Sequence, residues 1–221
     1  MRSIWQAFIF QHFGKLKKTR YLDLFLHMPR KNLIRCNNLP YHVTSRANNK
    51  EWFALPLEQV WDISQQCLKE ANQKHTVEII AFVLMNNHYH LLLRTPNANL
   101  DLFMYEFNKR LALQLKSTSA HMNHVLGGRY KWCLIHSQNY FLNCYRYIYQ
   151  NPLRAGIVSH CETYPFSTLN TLVFGKNFGV PIHDALGFKD PFMLSWINAS
   201  IDEEEINFVK KGLARSEFKE L

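Results

Sequence analysis

The chain has 221 residues, 47% of them hydrophobic and 14% aromatic, and a formal net charge of +9. That is enough length for one full core with room for a small second unit, and the composition excludes a disordered protein; no apolar run approaches the roughly 20 residues of a membrane span. The five cysteines, odd in number and without a CxxC, exclude a disulfide framework or zinc knuckle and read as reduced thiols in a cytoplasmic protein.

Charge is unevenly spread along the chain. Residues 1–27 carry 5 basic and 1 acidic side chains, residues 28–183 carry 16 and 8, and residues 184–221 carry 5 and 8. A basic middle suits a polyanionic partner, most simply nucleic acid. In residues 1–27, Trp5, Phe8, Ile9, Phe13 and Leu16 recur at helical spacing ahead of Lys15, Lys17, Lys18 and Arg20. The segment has no signal-peptide cleavage site, and Met28-Pro29-Arg30-Lys31 reads like a start. Residues 1–27 are therefore expected to be an N-terminal extension, either upstream of a mis-called start or a short amphipathic appendage.

Leu39 to Arg46 reads as the first strand, with Pro40 at its beginning. Pro56 to about Lys74 has helical spacing through Leu57, Val60, Trp61, Ser64, Cys67, Leu68 and Ala71, and Pro56 suits a first turn. Val77–Leu84 and His88–Arg94 form a strand pair around Asn86-Asn87, since Asn tolerates the positive φ of a two-residue turn. Strand alternation then puts His88 and His90 on one face and Tyr89, Leu91 and Leu93 on the other. Asn99 can cap a helix from Leu100 to about Lys116. Ser117–Gly128 reads as a loop, Arg129–Ile135 as a fourth strand, and Gln138 or Asn139 opens a helix to about Gln150 that Pro152 ends. The order β-α-β-β-α-β-α predicts an α+β fold: a ferredoxin-like split β-α-β, four-stranded antiparallel sheet with helices on one face. Residues 28–165 would be the main domain, and 166–221 a small, mainly helical C-terminal region. There is no internal repeat.

The last helix of that order carries Tyr140, Tyr145, Tyr147 and Tyr149. At about 100° per residue, Tyr147 and Asn151 share a face while Tyr145 and Tyr149 point away. Tyr147 is thus the tyrosine of the cluster that can work beside Asn151. Taken alone, paired strand histidines or a tyrosine-rich helix are equally consistent with ordinary packing.

His88-Tyr89-His90-Leu91-Leu92 resembles the His-hydrophobic-His signature of HUH nucleases, which process single strands. Arg146-Tyr147-Ile148-Tyr149-Gln150-Asn151-Pro152-Leu153-Arg154-Ala155-Gly156-Ile157-Val158 resembles the YI-x-x-NP-[VL]-RAG-[LIV]-V block of REP-associated tyrosine transposases, relatives of the insertion-sequence-200-type transposases. Met28-Pro29-Arg30-Lys31, Tyr41 to Arg46 with Asn48-Asn49, and Gly128-Arg129-Tyr130-Lys131 resemble the same family in the same order. The likeness spans residues 28–170. It departs from the family at Tyr89, in the middle of the triplet, and at Ala47, where a glycine is usual.

The resemblance implies a metal-dependent transposase that cuts and rejoins single-stranded DNA at hairpins. His88 and His90 would bind a divalent metal, Mg²⁺ or Mn²⁺, with Asn151 as third ligand. Tyr147 would be the nucleophile, linked to a 5′-phosphate. A phenol, with an ordinary pKa near about 10, leaves more readily than an alkoxide, so the link is reversible and strand transfer needs no ATP. No carboxylate in these motifs offers a dedicated base. For DNA contacts the basic candidates are Arg46, Lys109, Arg110, Arg129, Lys131 and Arg154, with Tyr130 and Trp132 able to stack on unpaired bases. His42 reads as a hydrogen-bonded strand histidine and not as a ligand. The expected setting is bacterial, cytoplasmic and nucleoid-associated, as monomer or homodimer. Two rivals remain: a domesticated hairpin-DNA binder without cleavage, and an unrelated histidine-based metal hydrolase in which Tyr147 is structural.

Overall fold

β1 (Tyr41–Arg46) begins directly after Pro40 and lies inside the sheet, antiparallel to β3 (His88–Arg94) on one side and to β4 (Lys131–Ile135) on the other. β2 (Glu78–Met85) pairs with β3 across the expected Asn86-Asn87 turn. The computed structural model describes residues 32–119, 124–188 and 190–219. The N-terminal extension and the Met28–Lys31 motif lie outside them. Ile34–Leu221 form one compact unit, in which all five cysteines are free thiols.

The α+β class and the antiparallel β1–β4 core are as expected, with one more strand than the pattern predicts. β5 (Glu217–Phe218) adds parallel to β4, giving the order β2-β3-β1-β4-β5. At two residues it is too short to carry an alternation.

α1 (Leu57–Lys74) and α2 (Leu100–Ser119) pack together on one face of the sheet. Their apolar stripes bury Val60, Cys67, Leu68 and Ala71, and Phe103, Met104, Phe107 and Leu111. Trp61 stacks on Phe82 at 5.6 Å between ring centroids, and Phe107 meets Tyr89 edge-on at 5.4 Å. These are the two helices of the split unit, on one face as predicted.

The opposite face carries α3 (Gln138–Tyr149), opened by Ser137, whose hydroxyl accepts the Tyr140 N–H. α3 closes about where expected, but Pro152 is not what stops it. It ends at Tyr149, Gln150 bends the chain, and a single turn, α4 (Asn151–Arg154), resumes with Pro152 in its first turn, where a missing N–H costs nothing. Tyr145, Ile148 and Tyr149 sink into a cluster with Val83, Leu92, Cys133 and Ile135.

The C-terminal region joins that cluster. α5 (Thr168–Val173), α6 (Pro191–Asn198) and α7 (Glu203–Leu213) contribute Leu169, Ile197 and Val209. The region also covers both sheet edges, which would otherwise offer unpaired backbone. At β2, Phe166 O accepts the Leu84 N–H at 3.0 Å and Thr168 Oγ1 accepts the Phe82 N–H at 2.8 Å. At β4, β5 does the same, and Gly212 lets α7 approach it: a Cβ there would collide with the Phe218 ring.

Candidate active site

Alternation along β3 and β1, in the register Thr44↔His90 and Arg46↔His88, groups His42, Thr44, Arg46, His88 and His90 on one face. It is the face that α3 covers. An open pocket gathers these side chains with Tyr147, Asn151 and Arg154 from α3 and α4, and with Glu203 and Lys210 from α7. The His88 and His90 rings lie 5.0 Å apart, near perpendicular. The Tyr147 ring meets His90 edge-on at 5.8 Å, and the Arg154 guanidinium sits 4.4 Å over the Tyr147 ring. The paired imidazoles and the phenol are therefore in one place.

Burial holds all three histidines uncharged. His88 is pushed down to about 4, by burial first and then by the Arg46 charge. His42 is pushed down to about 3 by burial alone. His90 lies well below the ordinary value through burial, then through His42, His88 and the Arg154 and Arg46 charges.

Hydrogen bonds define which nitrogens are free. Asn87 Nδ2 donates to the Lys50 carbonyl at 2.8 Å. A carbonyl can only accept, so the amide is oriented and its Oδ1 faces His88. Nδ1 of His88, 2.7 Å away, must then carry the proton, and Nε2 keeps its lone pair. His90 Nδ1 lies 2.9 Å from His42 Nε2. With His90 as donor its Nε2 is also bare; the reverse tautomer would protonate that atom. Asn151 Nδ2 donates to the Tyr147 and Ile148 carbonyls, so Oδ1 is the exposed atom, accepting from Arg154 at 2.9 Å with a second lone pair left over.

Two neutral imidazoles and one amide oxygen fit a divalent ion such as Mg²⁺ or Mn²⁺, with water or phosphate in the remaining positions. Among the described residues no group of three or more His, Cys, Asp or Glu gathers to hold a metal. Such an ion would depend on His88, His90 and Asn151.

The basic candidates divide. Arg46 and Arg154 line the pocket. Arg129 and Lys131 line an adjoining groove with Arg46 and Lys50. Lys109 and Arg110 do not join them. They sit on α2, the helix of the other face, where Arg110 is held by Glu70 and Glu106, and Lys109 lies 5.6 Å over the Tyr105 ring. Tyr130 and Trp132 are buried, 9% and 7% exposed, so neither offers a free ring to a base. His42 is a hydrogen-bonded strand histidine, as read.

Sequence reasoning missed three contributors. Asn87 read only as a turn residue. Glu203 and Lys210 are more than fifty residues beyond Tyr147 and carried no motif.

The sequence model of the family described as "Transposase IS200 like" matches residues 35–151. No curated protein matches the chain. The structure is similar to that of a REP-associated tyrosine transposase bound to a REP hairpin: TM-score 0.58, 18% identity, 71% of this chain and 93% of that chain covered. At that identity the likeness speaks for the fold. A proposed transposase from Deinococcus radiodurans R1 matches at a TM-score of 0.39 and 19% identity, over 55% of this chain and 95% of that chain.

Proposed function

The chain belongs to the IS200-like transposase family, and from that membership we propose that it cuts and rejoins single-stranded DNA beside hairpins through a covalent phosphotyrosine. The observation that carries this reading is Tyr147, edge-on to His90 at 5.8 Å under the Arg154 guanidinium. The hairpin-bound neighbour, a REP-associated tyrosine transposase, supports the choice of substrate, as does the basic groove beside the pocket. No helix among the described residues is long and apolar enough to cross a membrane.

The Tyr147 oxygen attacks the scissile phosphorus. A Tyr–O–P bond to the 5′-phosphate forms, the P–O3′ bond breaks, and the phenolic proton ends on the released 3′-oxygen, directly or through water. A 3′-OH from a second end reverses the step, so the bond energy is conserved. Arg46 and Arg154 hold the phosphate and offset the charge that repels a nucleophile. His42 fixes the ring of His90, and Asn87 that of His88. A Mg²⁺ or Mn²⁺ ion held by His88, His90 and Asn151 would supply the charge that draws electron density from the phosphate oxygens.

Denaturing electrophoresis of the protein with a labelled hairpin oligonucleotide, with Mn²⁺ and with chelator, tests this. The wild type is expected to form a covalent adduct that chelator abolishes. An adduct formed equally well by Tyr147→Phe would overturn the assignment of the nucleophile. Tight binding without any adduct would instead identify a domesticated hairpin binder, and turnover without adduct a hydrolase.

A further inference from the structure

Building on the reading of single-stranded DNA as substrate, we propose that Trp52 is a base-stacking platform, on which an unpaired nucleobase rests after the strand leaves the Tyr147 pocket. Three observations converge on it. Trp52 is 74% exposed, the most exposed of the large hydrophobic side chains among the described residues. An indole left in water gains nothing for the fold. The loop that carries it is nevertheless anchored: the Ala47 N–H donates to Asn87 O at 2.8 Å and the Phe53 N–H to Asn86 O at 2.9 Å. Asn49 and Lys50 hold positive φ angles of 54° and 61° to make the turn, a conformation that L side chains adopt at a cost. The ring is thus presented from a defined backbone.

The second observation is continuity. The groove containing Arg46, Lys50, Arg129 and Lys131 shares Thr44 and Arg46 with the active-site pocket and Ala47, Asn48 and Asn49 with the cleft of Trp52. No acidic side chain lines that groove among the described residues. A backbone of phosphates could follow the groove itself without meeting a like charge, with Glu203 in the pocket at one end and Glu51 in the cleft at the other.

The third is the shape of the cleft. Phe53, Leu55 and Leu115 give it an apolar floor, and Glu51 and His124 stand at its polar edge. A cleft of mixed lining, apolar at Phe53, Leu55 and Leu115 and polar around them, opening off a cationic groove, matches an unpaired base with its π-face on indole and its edge toward polar atoms. An apolar peptide would leave the groove's cations without use, and an acidic one would leave the indole without a partner.

Fluorescence anisotropy tests the platform on full-length protein carrying Tyr147→Phe, so that binding is read without cleavage. The probe is a labelled hairpin with a single-stranded flank. Trp52→Ala should weaken binding about 5- to 150-fold, the equivalent of one base–aromatic stack, with the melting temperature unchanged. Trp52→Phe should restore most of it, and a blunt hairpin without flank should bind both proteins alike. Moving a single abasic site along the flank should find one position that weakens the Trp52 protein and has no further effect on Trp52→Ala. Tight binding by the parent with an unchanged Trp52→Ala, or abasic losses equal in both proteins, would overturn the platform alone. A parent that binds no hairpin oligonucleotide would overturn the substrate reading and the platform with it.

Discussion

On one face of the sheet Trp61, Tyr89 and Phe107 close around Phe82 in an aromatic cluster. On the other, His42, His88 and His90 meet Tyr147 across an open pocket. The same two central strands build both. Tyr89 and His90 are neighbours in β3, and Val43 and Thr44 in β1, yet each pair divides between the faces. Both faces mix buried side chains with half-buried ones, Trp61 on the first and His88 and Tyr147 on the second, so burial alone does not separate core from site. What differs is where the polar atoms go. The Tyr89 hydroxyl is satisfied internally, donating to Asn108 Oδ1 at 2.6 Å. The imidazoles use one nitrogen internally and keep the other for the pocket. A period of two thus lets one strand carry stability and chemistry without either compromising the other.

That division predicts variants which break one face and spare its opposite. The largest effect belongs to Tyr147→Phe. Covalent adduct should vanish, while stability by urea denaturation should change by no more than about 0.5 kcal/mol, because the hydroxyl supports no buried contact. Acid comes next. All three histidines titrate in the folded protein below the ordinary 6.5, His88 at about 4 and His42 at about 3. The unfolded chain therefore takes up protons first as pH falls. Their contribution to stability is complete above about pH 6.5 and drains away toward pH 4, at no more than about 1.4 kcal/mol per pH unit for each histidine. Urea midpoints between pH 7 and 4 should show this slope, flattened in His42→Gln. Phe82→Ala should cost about 3–5 kcal/mol at every pH, with adduct formation per folded molecule unchanged. A Phe82→Ala protein that stayed folded but lost its chemistry would refute the separation of the two faces.

Smaller effects probe the support beneath the pocket. His42→Phe removes the partner that orients His90 while filling its space. Metal affinity by calorimetry should fall toward 100-fold, the upper end for a lost supporting contact of a ligand. His42→Gln restores an acceptor and should recover much of it. An unchanged affinity in His42→Phe would mean that packing, and not the hydrogen bond, sets the ring.

The site's centre was legible because it obeys local periods. His88 and His90 are two apart on a strand, Tyr147 and Asn151 four apart at a helix end, and Asn86-Asn87 is a turn by composition. What escaped depends on distant neighbours. Arg110 looks like a DNA-binding side chain until Glu70, forty residues earlier, is found against it. Tyr130 and Trp132 look like stacking residues until the sheet covers them. α7 reaches the pocket because β5, two residues long, brings the chain back beside β4, and so short a pairing leaves no pattern to read.

Asn87 sharpens the comparison most finely, since it lies in the turn where the two faces meet. Its amide joins the Lys50 carbonyl of the basic loop to Nδ1 of His88. Asn87→Ala cuts both bonds but leaves the turn's backbone bonds to Ala47 and Phe53 in place. His88 can then put its proton on either nitrogen, and only one form leaves Nε2 bare. Metal affinity should drop about tenfold, the lower end for such a contact because His88 is only partly buried. Hydrogen exchange should quicken in residues 48–52, while the Phe82 face keeps its protection. Asn87→Asp is the informative partner. It keeps an acceptor for His88 and loses the donor to Lys50, so metal affinity should return while the loop stays loosened. If both readouts instead move together in Asn87→Asp, the loop and the ligand are one cooperative unit, and the amide is more than a clamp on a single imidazole.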